Sequence, residues 1–279
     1  MSEIEPLPAW SLLARSGVAG LLARPDDGPP PTIRLGPDLD AISAAEMPLL
    51  ATLRLMLSRA KANGGLTLTA THALSRADTR ALFDALIWPD YDKAEVLAAN
   101  KVLNEADVMP VETARLIAQA AKLFRRCERK LLATKVGQDL AAEDRSLELF
   151  RLLFALVFWR LDLGSLDRVP IDRWPQDHIG LVLWCLSAAA RGWNSVGDLL
   201  PVCTVLDAAA EATAPDFLAF AFECRILRPL TWFGLLETRR VGEPGSFSWR
   251  YVREYRTASL FDRALTFQAE IAKPNESKH

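Results

Sequence analysis

Two stretches of this chain switch from helical to strand periodicity within a few residues, and that repeated switch constrains the fold more than any other feature. Met47, Leu50, Leu53 and Leu57 recur at helical spacing from a start near Ala45, and the pattern stops before Gly64-Gly65. The next residues read GGLTLTATHALSR, in which Leu66, Leu68 and Ala70 alternate with Thr67, Thr69 and Thr71. That period of two, rich in β-branched residues, predicts a half-exposed strand. Ser75 stands three positions before Asp78, so Asp78 to Ile87 reads as a capped helix with an acidic first turn. The order is helix, short strand, helix.

The second version lies near residues 109–141. MPVET places Pro110 near a first helical turn, and ARLIAQAAKLFRR sets Leu116, Ala120 and Leu123 on one face. RCERK then reads as a basic turn, Leu131 and Leu132 as a short strand, and Gly137 as backbone freedom at the following turn. Aligning the two stretches puts Thr134 beside Thr69 and Gly137 opposite His72.

The C-terminal part predicts helices over 179–190, 195–206 with an interruption near Pro201, and 215–227. Beta-prone stretches over 235–238 and 247–252 flank VGEPGS, which predicts a hairpin. The N-terminal RPDDGPPPTIRLGPD disfavours regular structure. LFRLLFALVFW (149–159) contains Arg151 and falls short of the roughly 20 apolar residues that cross a bilayer, so a buried helix and no membrane association are expected.

The expected fold class is therefore mainly α with short β-hairpins, arranged as tandem winged-helix-like units. Residues 1–44 form an arm and proline-rich linker, 45–108 a first unit, and 109–172 a second unit with the apolar helix. Residues 173–279 form a C-terminal unit with a polar tail. The hairpin step Ala133-Thr134-Lys135-Val136-Gly137, altered as Leu68-Thr69-Ala70-Thr71-His72, is similar to the wing strand of bacterial winged-helix regulators. In order, GGLTLTATHALSR, RRCERKLLATKVGQDLA, an apolar helix, FGLLE and YRTASLFDRAL resemble the helical, winged-helix-like region of plasmid pRiA4b ORF-3-like and related uncharacterised bacterial proteins, over about residues 45–267. That resemblance implies an architecture and no activity.

A net charge of -2 and a pI near 6.0 exclude a chain that coats nucleic acid through overall charge, and leave room for a local basic face. Lys122, Arg125, Arg126, Arg129, Lys130 and Lys135, opposed by Glu128, form the first candidate phosphate-contacting group. Arg239, Arg240, Arg250 and Arg253, with Arg256 nearby, form the second, offset by Glu237, Glu243 and Glu254.

Catalytic and metal-binding residues are not expected, and no cofactor is. His72 reads as an exposed turn residue, Asp90, Asp92 and Glu95 lack calcium-loop spacing, and Cys127, Cys185, Cys203 and Cys224 form no CxxC pair. The cysteines read as structural thiols of a reducing, cytoplasmic compartment. The reading favours an interaction scaffold that contacts nucleic acid. Its rivals are a purely protein-binding or structural module, a homodimer included, and an enzyme with an unrecognised site.

Overall fold

The computed structural model describes residues 7–23, 28–242 and 252–272. The fold is mainly α-helical with short antiparallel β-hairpins, and the chain divides into two compact units, residues 39–154 and residues 1–38 with 155–279. The N-terminal arm contributes helix α1 (Arg15–Leu22) and strand β1 (Ile33–Leu35) to the discontinuous unit.

The continuous unit opens with α2 (Ala41–Ala45), capped by Asp40, whose carboxylate accepts from the Ser43 backbone N–H at 2.8 Å. Pro48 then starts α3 (Pro48–Ala62), which buries Leu49, Leu50, Leu53, Met56 and Leu57 as the helical spacing predicts. Gly64 (φ +60) and Gly65 (φ +109) carry the chain out of α3 through left-handed backbone that side chains rarely adopt. Strand β2 is only Leu66–Thr67, shorter than the alternation through Ala70 predicts. The competing partners explain this. The Asp78 carboxylate takes the Thr67 N–H at 2.8 Å, and Thr69 bonds Ala73 through both its backbone and its hydroxyl, folding residues 69–73 into a turn with His72 (φ 64) in it.

Helix α4 (Arg76–Ala85) is capped by Ser75, and α5 (Lys93–Ala99) by Asp92. Helix α6 (Met109–Ala120) carries Pro110 in its first turn. It ends in a Schellman arrangement, with Lys122 (φ 58) donating to the Gln119 carbonyl at 3.0 Å and Leu123 to that of Ala118 at 2.9 Å. The chain then forms the hairpin of β3 (Phe124–Cys127) and β4 (Lys130–Ala133). Residues 124–127 were expected as the end of the helix and a basic turn. They are a strand because a lysine takes the left-handed terminating position where glycine is the usual signal.

The sheet order is β2-β4-β3, with Leu66 opposite Leu131 and Phe124 opposite Ala133. It joins strands from both sides of the expected boundary between residues 108 and 109. Thr134 caps α7 (Lys135–Leu140), and Gly137 lies inside that helix instead of supplying freedom at a turn. A β-carbon on Gly137 would stand 2.2 Å from the Leu123 carbonyl oxygen, so the glycine permits close packing of α7 on the hairpin base. The apolar segment forms α8 (Ser146–Ala155), followed by a π-helical turn over Leu156–Arg160.

In the discontinuous unit, α9 (Ile179–Ala189) leads to β5 (Asn194–Ser195) and α10 (Val196–Cys203), which holds Pro201 without breaking. Helices α11 (Ala208–Glu211) and α12 (Pro215–Phe222) follow, and a π-helical turn connects α12 to α13 (Arg228–Trp232). Strands β6 (Leu236–Val241) and β7 (Val252–Thr257) form the predicted hairpin, residues 247–251 of the expected second stretch lying outside the described residues. The sheet order is β5-β7-β6. After α14 (Phe261–Ala264), β8 (Leu265–Phe267) pairs with β1, so part of the segment expected as a linker is a strand.

Among the described residues, an ion pair lies wholly inside this unit. Arg225 and Asp167 both have fully buried side chains, joined by two bonds of 2.7 and 2.9 Å. The same guanidinium donates to the carbonyls of Val169, Ile171, Asp172 and Trp174, which fixes the loop ahead of α9.

Candidate nucleic-acid interface

The β3–β4 hairpin is held at its base and bare at its tip. Phe124 and Leu131 are buried and anchor the two strands. The Thr134 hydroxyl donates to the carbonyls of Lys122 and Leu123 at 2.9 and 3.1 Å, while accepting from the Gly137 N–H at 3.0 Å. Cys127 pairs with Lys130 across a two-residue loop, Glu128 (φ 52) and Arg129. This fixes where the basic side chains emerge.

Lys122, Arg125, Arg126, Arg129 and Lys135 are all exposed. Among the described residues, none of these five side chains has an ion-pair or hydrogen-bond partner. Lys130 differs, because its ammonium donates to the carbonyls of Asn63 and Gly64 at 3.2 and 3.1 Å and so stabilises the carbonyl end of α3. Glu128 is the acidic residue of the loop. Arg125 and Arg126 are successive residues of a strand and project to opposite faces of it. Since β3 is the edge of its sheet, its outer hydrogen-bonding edge is unpaired, and Arg125 and Arg126 are exposed beside it.

The second group is arranged differently. Arg239 donates to Glu254 at 2.7 Å and Arg256 to Glu237 at 2.8 Å, each across the β6–β7 ladder. The Arg239 and Arg256 guanidinium carbons each stand 4.5 Å from the centre of the half-buried Trp193 ring. Arg253 lies 3.7 Å from Glu223 and faces Arg240 in register. Arg250 lies outside the described residues. Positive charge on this hairpin is largely met by its own glutamates, and Trp193 provides the stacking surface, a role that its position in the sequence did not signal.

The remaining chemistry-bearing residues sit in structural positions. His72 is exposed in its turn, and Asp92 accepts from the Ala94 and Glu95 N–H groups at the start of α5. Cys127 is exposed, whereas Cys185, Cys203 and Cys224 are buried. Loss of water pushes the Cys185 thiol up to about 12 and that of Cys224 up to about 11, which keeps both protonated at neutral pH. A cavity of about 150 Å³ lined by Leu21, Phe158, Trp159, Arg173 and Gln176 is smaller than the roughly 300 Å³ of an ordinary small-molecule site. Among the described residues, no three His, Cys, Asp or Glu side chains stand together as a metal site, and no helix is long and apolar enough to cross a membrane.

The basic hairpin falls inside the span that known proteins share. Residues 45–146 match the Y4jL N-terminal domain. The matched span lies within the compact unit 39–154 and contains α3, both strands of the basic hairpin and α7. The uncharacterized protein y4jL of Sinorhizobium fredii is 34% identical over 116 residues, covering 42% of this chain and 52% of that protein. The chain thus spans about half the length of the curated relative it matches. No solved structure matches. The similarity is to bacterial protein of uncharacterised function, a coarser statement than the resemblance drawn from residues 45–267.

Proposed function

We propose that this protein is a non-enzymatic interaction scaffold that contacts the phosphates of nucleic acid through the β3–β4 hairpin of residues 39–154. The observation that carries the proposal is the set of five exposed cations, Lys122, Arg125, Arg126, Arg129 and Lys135, without partners among the described residues. Unpaired cations keep their full charge for a polyanion, whereas cations in ion pairs must first give up a carboxylate. The order helix, strand, three helices, hairpin, with the first strand against the last, supports a winged-helix reading in which this hairpin is the wing and α5 is an added helix. The cysteines, left as thiols, support a cytoplasmic setting.

A second reading rests on Phe217 and Phe220, which are 57% and 42% exposed one helical turn apart on α12 and suit a protein contact. There is also a plain structural role for Arg125 and Arg126, because charges on an edge strand prevent unwanted pairing with another chain. One pair of variants separates phosphate contact from edge protection. Arg125→Glu/Arg126→Glu/Arg129→Glu keeps the edge charged and reverses its sign, so it should abolish binding to duplex DNA and RNA while the protein stays unassociated. Arg125→Thr/Arg126→Thr should weaken binding and, if edge protection is their role, cause self-association. Unchanged affinity in the charge-reversed variant would exclude this hairpin as the contact.

A further inference from the structure

The helix that runs into the basic hairpin has tied up its longest polar side chains. Helix α6 runs directly into the hairpin, and its exposed or half-exposed positions are Met109, Glu112, Thr113, Arg115, Leu116, Gln119 and Ala120. Arg115 is its cation, and that guanidinium is bound to the buried Glu105 carboxylate and donates to the Gln119 amide oxygen at 2.6 Å. Glu105 in turn accepts from the Leu74 N–H at 2.7 Å, so Arg115 cannot leave without exposing a buried acceptor. The Gln119 amide oxygen is thereby held toward Arg115, which turns it away from the free two-point geometry that a contact to adenine uses.

On the neighbouring helices most long polar side chains are likewise tied, Lys135 of α7 being an exposed cation of the hairpin group. On α4, Arg76 donates to Asn104 at 3.0 Å and Arg80 to Asp84 at 2.9 Å. On α7, the Gln138 amide donates to the Ala133 carbonyl at 3.4 Å and Asp139 pairs with Arg145 at 2.9 Å. What faces outward from α6 is Leu116, 54% exposed, and Met109, 44% exposed, with the short hydroxyl of Thr113 and the carboxylate of Glu112. Sequence readout in a groove needs free donors and acceptors on the inserted element, and a bare carboxylate beside the phosphates opposes its insertion.

We infer that this unit binds the phosphodiester backbone without reading sequence: the hairpin supplies the contact and no helix enters a groove to inspect bases. The inference rests on the phosphate-contact reading above and specifies its ligand as nucleic acid of any base composition. A single two-point base contact would discriminate by roughly 5- to 150-fold between sequences, so its absence is measurable.

The test is titration of the full chain, at one low salt concentration, against labelled duplexes of equal length and different sequence: A·T-rich, G·C-rich and mixed. The same titration is repeated with Thr113→Ala/Leu116→Ala, which alters the outward face of α6 and spares the hairpin. Affinities that agree within about 3-fold across the duplexes, and are unmoved by the α6 variant, support the inference, since a base contact would exceed that spread. A preference above about 3-fold for one duplex, or a loss in the α6 variant confined to one sequence, overturns it and leaves the phosphate-contact reading standing. Absence of binding to every duplex overturns both. Vesicles of anionic lipid serve as a further probe, and tighter binding to them than to any duplex would also overturn both.

Discussion

Replacing Asp167 by alanine strands the buried Arg225 guanidinium with backbone carbonyls and no counter-charge. The wild-type pair has two bonds of 2.7 and 2.9 Å between side chains with no exposure to water. Removing one member of such a pair costs about 3–5 kcal/mol, because the remaining charge stays buried and uncompensated. With a urea slope near 2 kcal/mol/M, the unfolding midpoint of this unit falls by about 2 M. The double variant Arg225→Met/Asp167→Leu tests the reason for the loss. Deleting both charges of an isolated buried pair is often neutral. Here the guanidinium also donates to the buried Ile171 and Trp174 carbonyls, at 2.9 and 2.6 Å. Leaving them without it costs about 1–3 kcal/mol each, so the double variant should remain at least about 2 kcal/mol below wild type. The assay is urea unfolding followed by tryptophan fluorescence, in which the buried Trp174 reports on the same loop. Full recovery of stability in the double variant would refute the claim that Arg225 holds the loop through its carbonyl bonds.

Other expectations address the hairpin base and the thiols. Gly137→Ala should destabilise the unit 39–154 by about 1–3 kcal/mol, since its β-carbon would meet the Leu123 carbonyl, and it should weaken any nucleic-acid binding by displacing the hairpin; thermal unfolding and a binding titration check both. A disulfide-exchange reagent should label Cys127 in the native protein, and Cys185, Cys203 and Cys224 only on unfolding; rapid native labelling of all four would contradict their burial. Burial raises the Cys185 thiol from its ordinary 9.0 to about 12, so the folded state favours the protonated form. Its contribution to stability is complete below pH 9.0 and declines as pH rises toward 12, which unfolding curves across that alkaline range should register and a Cys185→Ala background should lessen.

The helical elements were legible because their signals are local. The spacing of Leu50, Leu53 and Leu57, the Ser75 cap, and Pro110 and Pro215 in first turns all mark helices that the fold contains. Strand β3 was hidden because its defining event is Lys122 entering the left-handed region, and lysine carries no such signal; at the corresponding end of α13, Gly234 (φ 65) does. Gly137 misled in the opposite direction, because a glycine required for close approach looks the same in sequence as one required for a turn. The basic clusters were visible as composition. Which of their charges are spent was not, since the Arg239–Glu254 and Arg256–Glu237 pairs depend on the register of the ladder, and the Lys130 contact with Asn63 and Gly64 on a fold spanning many residues.

The most direct test of the account is the salt dependence of duplex binding by the full chain. If all five unpartnered cations engage phosphates, log affinity should fall against log salt with a slope near -4.5, a loss of about 500-fold between 50 and 200 mM. The account predicts that slope for the wild-type protein and no measurable binding for Arg125→Glu/Arg126→Glu/Arg129→Glu. A slope near zero, or the same slope in the charge-reversed variant, would contradict the claim that this hairpin holds a nucleic-acid backbone.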